Sequence, residues 1–209
     1  MTRADSRDWN VVMSAPGAAV SLPVDDTSDP RSWAAATAGA LLARHKDADA
    51  ATEAALARIL HDAVLDSRTR SPILAFSFCP YPTQGELARV ELREIPQLPG
   101  RPEPTVDWLE EYFTAQEAAG FDEPQVERGD LPIGPAVRVR RQYTAQPDKF
   151  GDAQIMQTVA YAVRPENPVA LDSAVVFFMS WTAVVHSEKL FDLADKLAPT
   201  LKLVPKSSA

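Results

Sequence analysis

The stretch AVVFFMSWTAVV, residues 174–185, decides the fold of this chain. Val175 and Phe177 lie on one side of a strand through these residues, and Trp181 continues the same row. The other side begins with apolar side chains and becomes polar from Ser180 onward. Because side chains alternate between the two faces of a strand, this pattern predicts a strand with one wholly buried face.

An amphipathic helix is predicted directly after this strand. Ser187 is placed to be its N-cap, and Glu188 puts a negative charge in the first turn. The apolar stripe of the helix consists of Leu190, Ala194, Leu197 and Leu201. Alternating runs at 136–142 and 155–163 predict two strands before residue 174. Residues 136–204 are therefore predicted as three strands and a helix, so the chain ends in strand, strand and helix.

The beginning of the chain predicts a hairpin and then a helix. Two short alternating runs at 9–14 and 18–22 flank the turn-forming residues 15–17, which favours an N-terminal hairpin. Asp29 then stands before Pro30, the residue types preferred at the N-cap and the first position of a helix.

The middle of the chain continues with helices and strands. Residues 32–64 are predicted as a helical pair or one long bent helix, with a break near 47–49. The other predicted elements are strands at 73–79 and 88–93, a helix at 105–119 stopped by Gly120, and an edge strand at 125–128. The strand at 88–93 is expected to be half exposed. The whole predicts a single α+β domain over residues 1–209, a twisted antiparallel sheet with helices packed mainly on one face.

Length, composition and charge restrict the class of protein. The chain has 209 residues, of which 45% are hydrophobic, and this is enough for the core of one domain without metals or disulfides. A net charge of −8 repels phosphate backbones and anionic lipids, which disfavours nucleic-acid binding. No run approaches the roughly 18 to 20 apolar residues that span a bilayer, so membrane insertion is not expected.

Cofactor and metal sites are not predicted. Cys79 is the only cysteine and is expected to be a small buried hydrophobe, and the three histidines are scattered along the chain. The sequence also lacks a glycine-rich loop of the kind that binds phosphate. Residues 1–10 have no apolar signal-peptide core, which favours a cytoplasmic location, and the bias towards Ala, Arg, Asp and Pro suggests an actinobacterial source.

One group of adjacent polar residues suggests catalysis. His186, Ser187 and Glu188 lie at a strand-to-helix junction and could be read as a base, a nucleophile and an orienting acid. Members of a triad normally meet through the fold and not through adjacency in sequence. Capping of the helix by Ser187 is therefore the preferred interpretation.

Basic residues on two strands are the candidate ligand- or partner-binding residues. Arg138 and Arg140 project from one side of their strand, and Arg89 and Arg93 lie on the outer side of another. If the two strands are neighbours, these arginines could form one face that binds an anion or a protein. The favoured alternative is that they pair with carboxylates and keep an open sheet face soluble. The carboxylates available for such pairs are Glu91, Glu94 and Glu127.

The most specific stretches are DLPIGPAVRV at residues 130–139 and FDLA at residues 191–194. With the order of elements, they resemble the PsbP-like fold, which includes extrinsic photosystem subunits, a Ran-binding nuclear-import factor and actinobacterial lipoproteins of the LpqN type. The resemblance implies a binding or assembly subunit and no shared catalytic residues. Residues 1–10 show neither the apolar leader core nor the lipid-accepting cysteine of those lipoproteins, so a lipid anchor is not expected.

These observations predict a non-catalytic binding or accessory domain that recognises a protein or a small ligand through its open sheet face or its proline-rich loops. One alternative is a weak hydrolase-type enzyme that uses dispersed carboxylates or His186. Another is a structural subunit that dimerises through an exposed edge strand. Partner identity and oligomeric state stay open.

Overall fold

The computed structural model describes residues 9–115, 123–144, 154–166 and 172–206. The strands are β1 (Trp9–Val12), β2 (Ala19–Ser21), β3 (Leu74–Phe78), β4 (Ala88–Pro96), β5 (Gln125–Leu131), β6 (Gly134–Thr144), β7 (Ile155–Val163), β8 (Ser173–Trp181) and β9 (Lys202–Pro205). The helices are α1 (Pro30–Leu42), α2 (Ala50–Thr69), α3 (Val106–Ala115) and α4 (Ser187–Leu197).

The described strands form two antiparallel sheets. Seven of them follow one another in the order β2-β3-β4-β8-β7-β6-β5, while β1 and β9 form a separate pair. The strand predicted from residues 174–185 is the middle one of the larger sheet. Its Phe177 pairs with Leu92 on β4 and with Tyr161 on β7. The predicted α+β architecture is therefore confirmed.

Both faces of the larger sheet are covered. We call the face that carries Phe177 the α4 face, because it packs against α4, β1 and β9. We call the face that carries Val176 the α3 face, because α3 packs on one part of it and the pair α1 and α2 on the other. Three of the four described helices thus lie on one face, as the sequence predicted.

The predicted buried row forms the centre of the core as far as Trp181, where β8 ends. Its predicted continuation to residue 185 is wrong, because a 3₁₀ turn begins at Val184 and Val185 is 88% exposed. Phe177 and Met179 are both 0% exposed, and Trp181 is 2% exposed. Burying a side chain of this size stabilises a fold by roughly 1.5 to 3 kcal/mol. These residues therefore form the scaffold and are not available to a ligand.

The starts of the first two helices follow the sequence signals. The Asp29 carboxylate accepts a hydrogen bond of 2.8 Å from the Ser32 amide, and Pro30 occupies the first turn. The Asp49 carboxylate accepts a bond of 2.8 Å from the Thr52 amide. The predicted break near residues 47–49 is confirmed, because a new N-cap starts α2 there.

The predicted N-terminal hairpin is wrong. β1 pairs with β9, and β2 pairs with β3 in the larger sheet. Residues 15–17 change the direction of the chain between the two sheets and do not close a hairpin. The Ser14 amide donates a hydrogen bond of 3.0 Å to the Thr200 hydroxyl, which holds this corner beside the C-terminal segment.

The C-terminal helix is shorter than its apolar stripe suggested. α4 ends at Leu197, and a 3₁₀ turn runs from Ala198 to Thr200. Pro199 cannot donate a helical hydrogen bond, and its ring clashes with a continued α-helix. Leu201 is therefore outside the helix, although it is 0% exposed in the core.

Two further predictions are met in part. Helix α3 covers Val106–Ala115 of the predicted 105–119, and the rest of that prediction with Gly120 lies outside the described residues. β5 is an edge strand, as expected.

Within the described ranges, every helix falls short of a membrane span in length or in apolar character.

Candidate functional site

Arg138 and Arg140 project from β6 onto the α4 face. Two guanidinium nitrogens of Arg138 donate to the Asp195 carboxylate of α4, with N···O distances from 2.8 to 3.1 Å. The Arg138 Nη1 atom lies 3.1 Å from a carboxylate oxygen of Glu127 on β5. Arg140 lies over the Phe191 ring at 4.1 Å and reaches Asp195 at 3.4 Å. Both arginines therefore attach α4 to the sheet.

A tyrosine hydroxyl completes this group. Tyr161 on β7 donates to Asp195 and accepts a hydrogen bond of 2.9 Å from Arg138. Burial and the hydrogen bond to Asp195 raise the pKa of Tyr161 well above its ordinary value, so the phenol stays protonated. The group is a structural ion pair with a neutral donor, and it has no base that is free to accept another proton.

Arg89 and Arg93 project from β4 onto the opposite face. Arg89 donates to Glu86 with N···O distances of 2.6 and 3.0 Å and also pairs with Asp66 of α2. Arg93 donates to Glu91, and its guanidinium lies 4.7 Å above the Phe178 ring. The contact of Arg89 with Asp66 attaches α2 to the sheet.

The expectation that β4 has a half-exposed outer side is wrong at Glu91, which is 1% exposed. Arg70 and Ser67, both from the end of α2, donate hydrogen bonds to its carboxylate. Burial alone would raise the pKa of Glu91, but the hydrogen bonds from Arg70 and the charge of Arg93 outweigh it and hold this pKa below its ordinary value. The end of α2 therefore covers a carboxylate that sequence alternation places on the outer side.

The four predicted arginines do not form one surface. β4 and β6 are separated in the sheet by β8 and β7, so the condition that the two strands be neighbours is not met. The pairs also lie on opposite faces, because Arg138 shares the face of Tyr161, whereas Arg93 shares the face of Val176. Each pair is largely neutralised by carboxylates, as the alternative interpretation of the sequence held. A binding role for any of them stays a prediction.

The triad interpretation has no support in the geometry of Ser187, and the expected N-cap is corrected as well. The Ser187 hydroxyl donates to the Val184 carbonyl at 2.7 Å and accepts a hydrogen bond of 3.1 Å from the Trp181 indole. The N-cap position belongs to the half-buried His186, whose side chain makes no capping hydrogen bond. The Ser187 hydroxyl thus accepts from a buried indole N–H and does not cap the helix. The 3₁₀ turn before α4 brings the Val184 carbonyl within reach of this hydroxyl.

The remaining reactive groups are dispersed. Cys79 is buried, and burial raises the pKa of its thiol, which disfavours the reactive thiolate. The His61 Nδ1 atom lies 3.1 Å from a carboxylate oxygen of the adjacent Asp62. Within the described ranges, no three His, Cys, Asp or Glu side chains converge as metal ligands.

A small surface pocket lies beside Arg138 on the α4 face. Its volume is about 110 Å³, and its lining comes from β5, the start of β6 and Tyr161. Pockets that enclose small-molecule ligands usually measure roughly 300 to 1,000 Å³. This pocket is too small to enclose such a ligand.

A larger groove runs along β9. It has a volume of about 450 Å³, and we call it the β9 groove. One side is formed by the consecutive residues 201–204, and the other by Pro132, Ile133 and Glu166. Side chains alternate along a strand, so a cavity on one face of a strand would be lined by every second residue. Contact with four consecutive residues indicates that the groove borders the main-chain edge of β9.

Gly134 fixes the far side of the β9 groove. Its φ angle is +144°, and a Cβ atom at this position would lie 2.2 Å from the carbonyl oxygen of Arg164. The Glu166 amide donates a hydrogen bond of 3.0 Å to the Ile133 carbonyl beside it. Only glycine allows the β5–β6 turn to approach residues 164–166 this closely. The groove is therefore built on the most specific stretch of the sequence, residues 130–139.

The sequence interpretation missed β9 and with it the groove. The stripe of α4 was extended to Leu201, so the short run Leu201-Lys202-Leu203-Val204 was not recognised as a strand. Pro199 was the available signal, because a proline after an amphipathic helix marks its end and permits an extended segment to follow.

Comparisons with known proteins identify a fold and no family. No protein-family model matches the chain, and a search of curated proteins gives no match. The structure is similar to the crystal structure of LpqN, involved in cell envelope biogenesis of Mycobacterium tuberculosis, with a TM-score of 0.51 and 10% identity, over 97% of this chain and 87% of that chain. At this identity the likeness shows the fold alone. The chain therefore shares the α+β fold of LpqN, and membership of a PsbP-like family stays a prediction.

Proposed function

We propose that this chain is a non-catalytic binding or accessory domain that recognises a partner through the β9 groove. The observation that carries the proposal is the composition of the groove. It is about 450 Å³ in volume and is bordered by a strand edge and by the β5–β6 turn, and the described residues of its lining contain no cluster of reactive side chains. A strand edge of this kind supplies hydrogen bonds for recognition and no group for chemistry.

The positions of the acid–base groups support the same proposal. Asp195 and Glu91 are both held by arginines, so neither is available as a general base. His186 lines neither the groove nor the pocket beside Arg138. A general acid or base has to lie within hydrogen-bond reach of a bound substrate, which favours recognition over hydrolysis for the described surface.

The likeness to LpqN adds only an analogy of fold. LpqN is involved in cell envelope biogenesis, and a shared fold does not transfer a role of that kind. The proposal for this chain therefore rests on the β9 groove.

Site-specific photo-crosslinking in the native host tests the proposal. A benzophenone amino acid replaces Lys202, which is exposed and lines the groove. The matched control carries the same group at Leu65, a 45% exposed position on α2 away from the groove. We expect a discrete adduct from position 202 and none from position 65. Equal labelling at both positions, or none at either, would contradict a binding role for the groove.

A metabolite turnover screen tests the enzyme alternative. The chain is incubated with ester, amide, phosphoester and glycoside substrates, and His186→Ala serves as the comparison. We expect no turnover above the buffer background. Turnover that disappears in the His186 variant would overturn the proposal in favour of the hydrolase.

A further inference from the structure

We propose that the partner in the β9 groove is an extended peptide segment, which adds to β9 as a third strand of the β1–β9 sheet. This inference rests on the proposed function and specifies the mode of recognition. In strand addition, main-chain hydrogen bonds supply the affinity, and alternate side chains supply the specificity.

The pairing of β9 with β1 shows which main-chain groups face the groove. Pro205 pairs with Trp9 but has no N–H, so this pair cannot be one that exchanges two hydrogen bonds. Hydrogen-bonded and non-hydrogen-bonded pairs alternate along an antiparallel ladder. The Leu203 pair with Val11 is therefore also non-hydrogen-bonded, and the N–H and C=O of Leu203 point away from β1.

These outward groups lie at the centre of the edge that borders the groove. Leu203 and its neighbours Lys202 and Val204 all line it. Outside the ladders, the main-chain hydrogen bonds between described residues do not include the Leu203 amide. A strand placed in the groove could pair with both groups of Leu203, at the usual spacing of roughly 4.7 to 4.9 Å between strands.

The opposite side of the groove is closely packed and hydrogen-bonded without a partner. The Gly134 turn packs directly against residues 164–166, and the Arg164 amide donates a 2.9 Å hydrogen bond to the Pro135 carbonyl. A preformed groove reduces the ordering cost of association. Ile133 and Leu201 are buried at its base, so every second side chain of the peptide would meet an apolar surface.

The size of the surface favours a peptide over a second copy of this chain. A stable dimer buries roughly 800 Å² on each partner and uses about 20 to 30 residues a side. Seven of the described residues line the groove, and its strand edge consists of residues 202–204 beside the β5–β6 turn. This is far fewer residues than one side of a stable dimer uses. A single extended segment needs only the groove.

Selection of peptides against the full chain tests the inference. Phage-displayed random heptapeptides are selected on the wild-type chain, and the enriched sequences are synthesised. Their affinity is then measured for wild type, Leu203→Ala and Leu203→Pro. Both variants lose the leucine side chain, but only Leu203→Pro loses the N–H that faces the groove. We expect Leu203→Pro to bind roughly three- to tenfold more weakly than Leu203→Ala.

Methylation of the peptide gives a second readout on the unaltered chain. Each amide of the best peptide is N-methylated in turn. Strand addition predicts that the effect of methylation alternates along the peptide with a period of two residues. Methylation of an amide that bonds to β9 should weaken binding about tenfold or more, and methylation of the amides between them should have little effect. This readout decides the question even if Leu203→Pro does not fold.

The outcomes separate the two proposals. Suppose that position 202 crosslinks but that no peptide is enriched, or that the enriched peptides show no period of two on methylation. Either result overturns strand addition and leaves the binding role of the groove standing. A self-associating chain whose dimer is lost in Leu203→Pro assigns the edge to a second copy and overturns the peptide proposal. No crosslink at position 202 contradicts the binding role itself.

Discussion

Arg138 on β6 forms an ion pair with Asp195 on α4, 57 residues further along the chain. The Arg138 Nη2 atom lies 2.8 Å from each of the two Asp195 carboxylate oxygens. The arginine side chain is 13% exposed and the aspartate side chain 40% exposed. The pair joins the last helix to the outer part of the sheet. Its contribution is therefore expected in the stability of the domain.

A double-mutant cycle measures this pair. Arg138→Ala, Asp195→Ala and the double variant are unfolded in urea. Because the carboxylate is partly exposed and screened, we expect a coupling free energy of about 1 kcal/mol. Arg128→Ala removes the more exposed ion pairs of Arg128, whose side chain is 55% exposed, with α3 and is expected to have a much smaller effect. A coupling free energy near zero would show that the Arg138–Asp195 pair does not hold α4 to the sheet.

Glu91 is expected to make the stability of the fold depend on acid pH. Its pKa is lowered in the folded state, so its contribution is complete above the ordinary glutamate value of 4.5 and is lost as the pH falls through the lower folded value. Below pH 4.5 the folded carboxylate must be protonated against the charges of Arg70 and Arg93. We expect the free energy of unfolding to fall in this range.

Glu91→Gln is the test of that assignment. The variant removes the titrating group and its charge, and we expect it to lower the free energy of unfolding at pH 7 by roughly 1.5 to 3 kcal/mol. The difference between wild type and variant should shrink as the pH falls below 4.5. A difference that stays constant down to pH 3 would assign the acid sensitivity to other carboxylates.

Gly134 is expected to tolerate no side chain. In Gly134→Ala, the new Cβ would meet the Arg164 carbonyl oxygen at 2.2 Å, in a backbone region that disfavours alanine. We expect the free energy of unfolding to fall by about 1 to 3 kcal/mol or more. Gly129→Ala is the control in the same hairpin, because nothing lies within 4 Å of its Cβ position. Equal effects of the two substitutions would exclude the close approach as the cause.

Cys79 is expected to react slowly in the folded protein. The side chain is buried, and the raised pKa of its thiol further reduces the thiolate fraction. Labelling with an aromatic disulfide reagent should therefore be slow in native buffer and complete at once in denaturant. Fast labelling of the native chain would show that the strand end at Cys79 opens more easily than its packing suggests.

The part of the fold that the sequence predicts is the part with local signals. Alternation identifies β8, the amphipathic stripe identifies α4, and the Asp29-Pro30 pair identifies the start of α1. The pairing of β1 with β9 has no such signal, because each strand has four residues and the two lie at opposite ends of the chain. Alternation alone therefore assigned β1 to the wrong partner.

In the candidate site too, the sequence predicts the features that have a local signal and misses those that depend on the whole fold. Alternation correctly placed Arg138 and Arg140 on one side of their strand. It could not show that β8 and β7 separate them from Arg89, because strand order is a property of the whole sheet. It also could not show that Arg70 would reach back to cover Glu91, since this contact depends on where α2 ends.

The contact of Ser14 with Thr200 spans 186 residues, and the β1–β9 ladder begins beside it. During synthesis, β1 leaves the ribosome long before its partner strand exists. Pairing over so large a separation is slow, because the loop-closure entropy has to be overcome before any hydrogen bond forms. We therefore expect the groove to be one of the last surfaces to form, so that a partner that needs it would not engage the nascent chain before synthesis has passed residue 205.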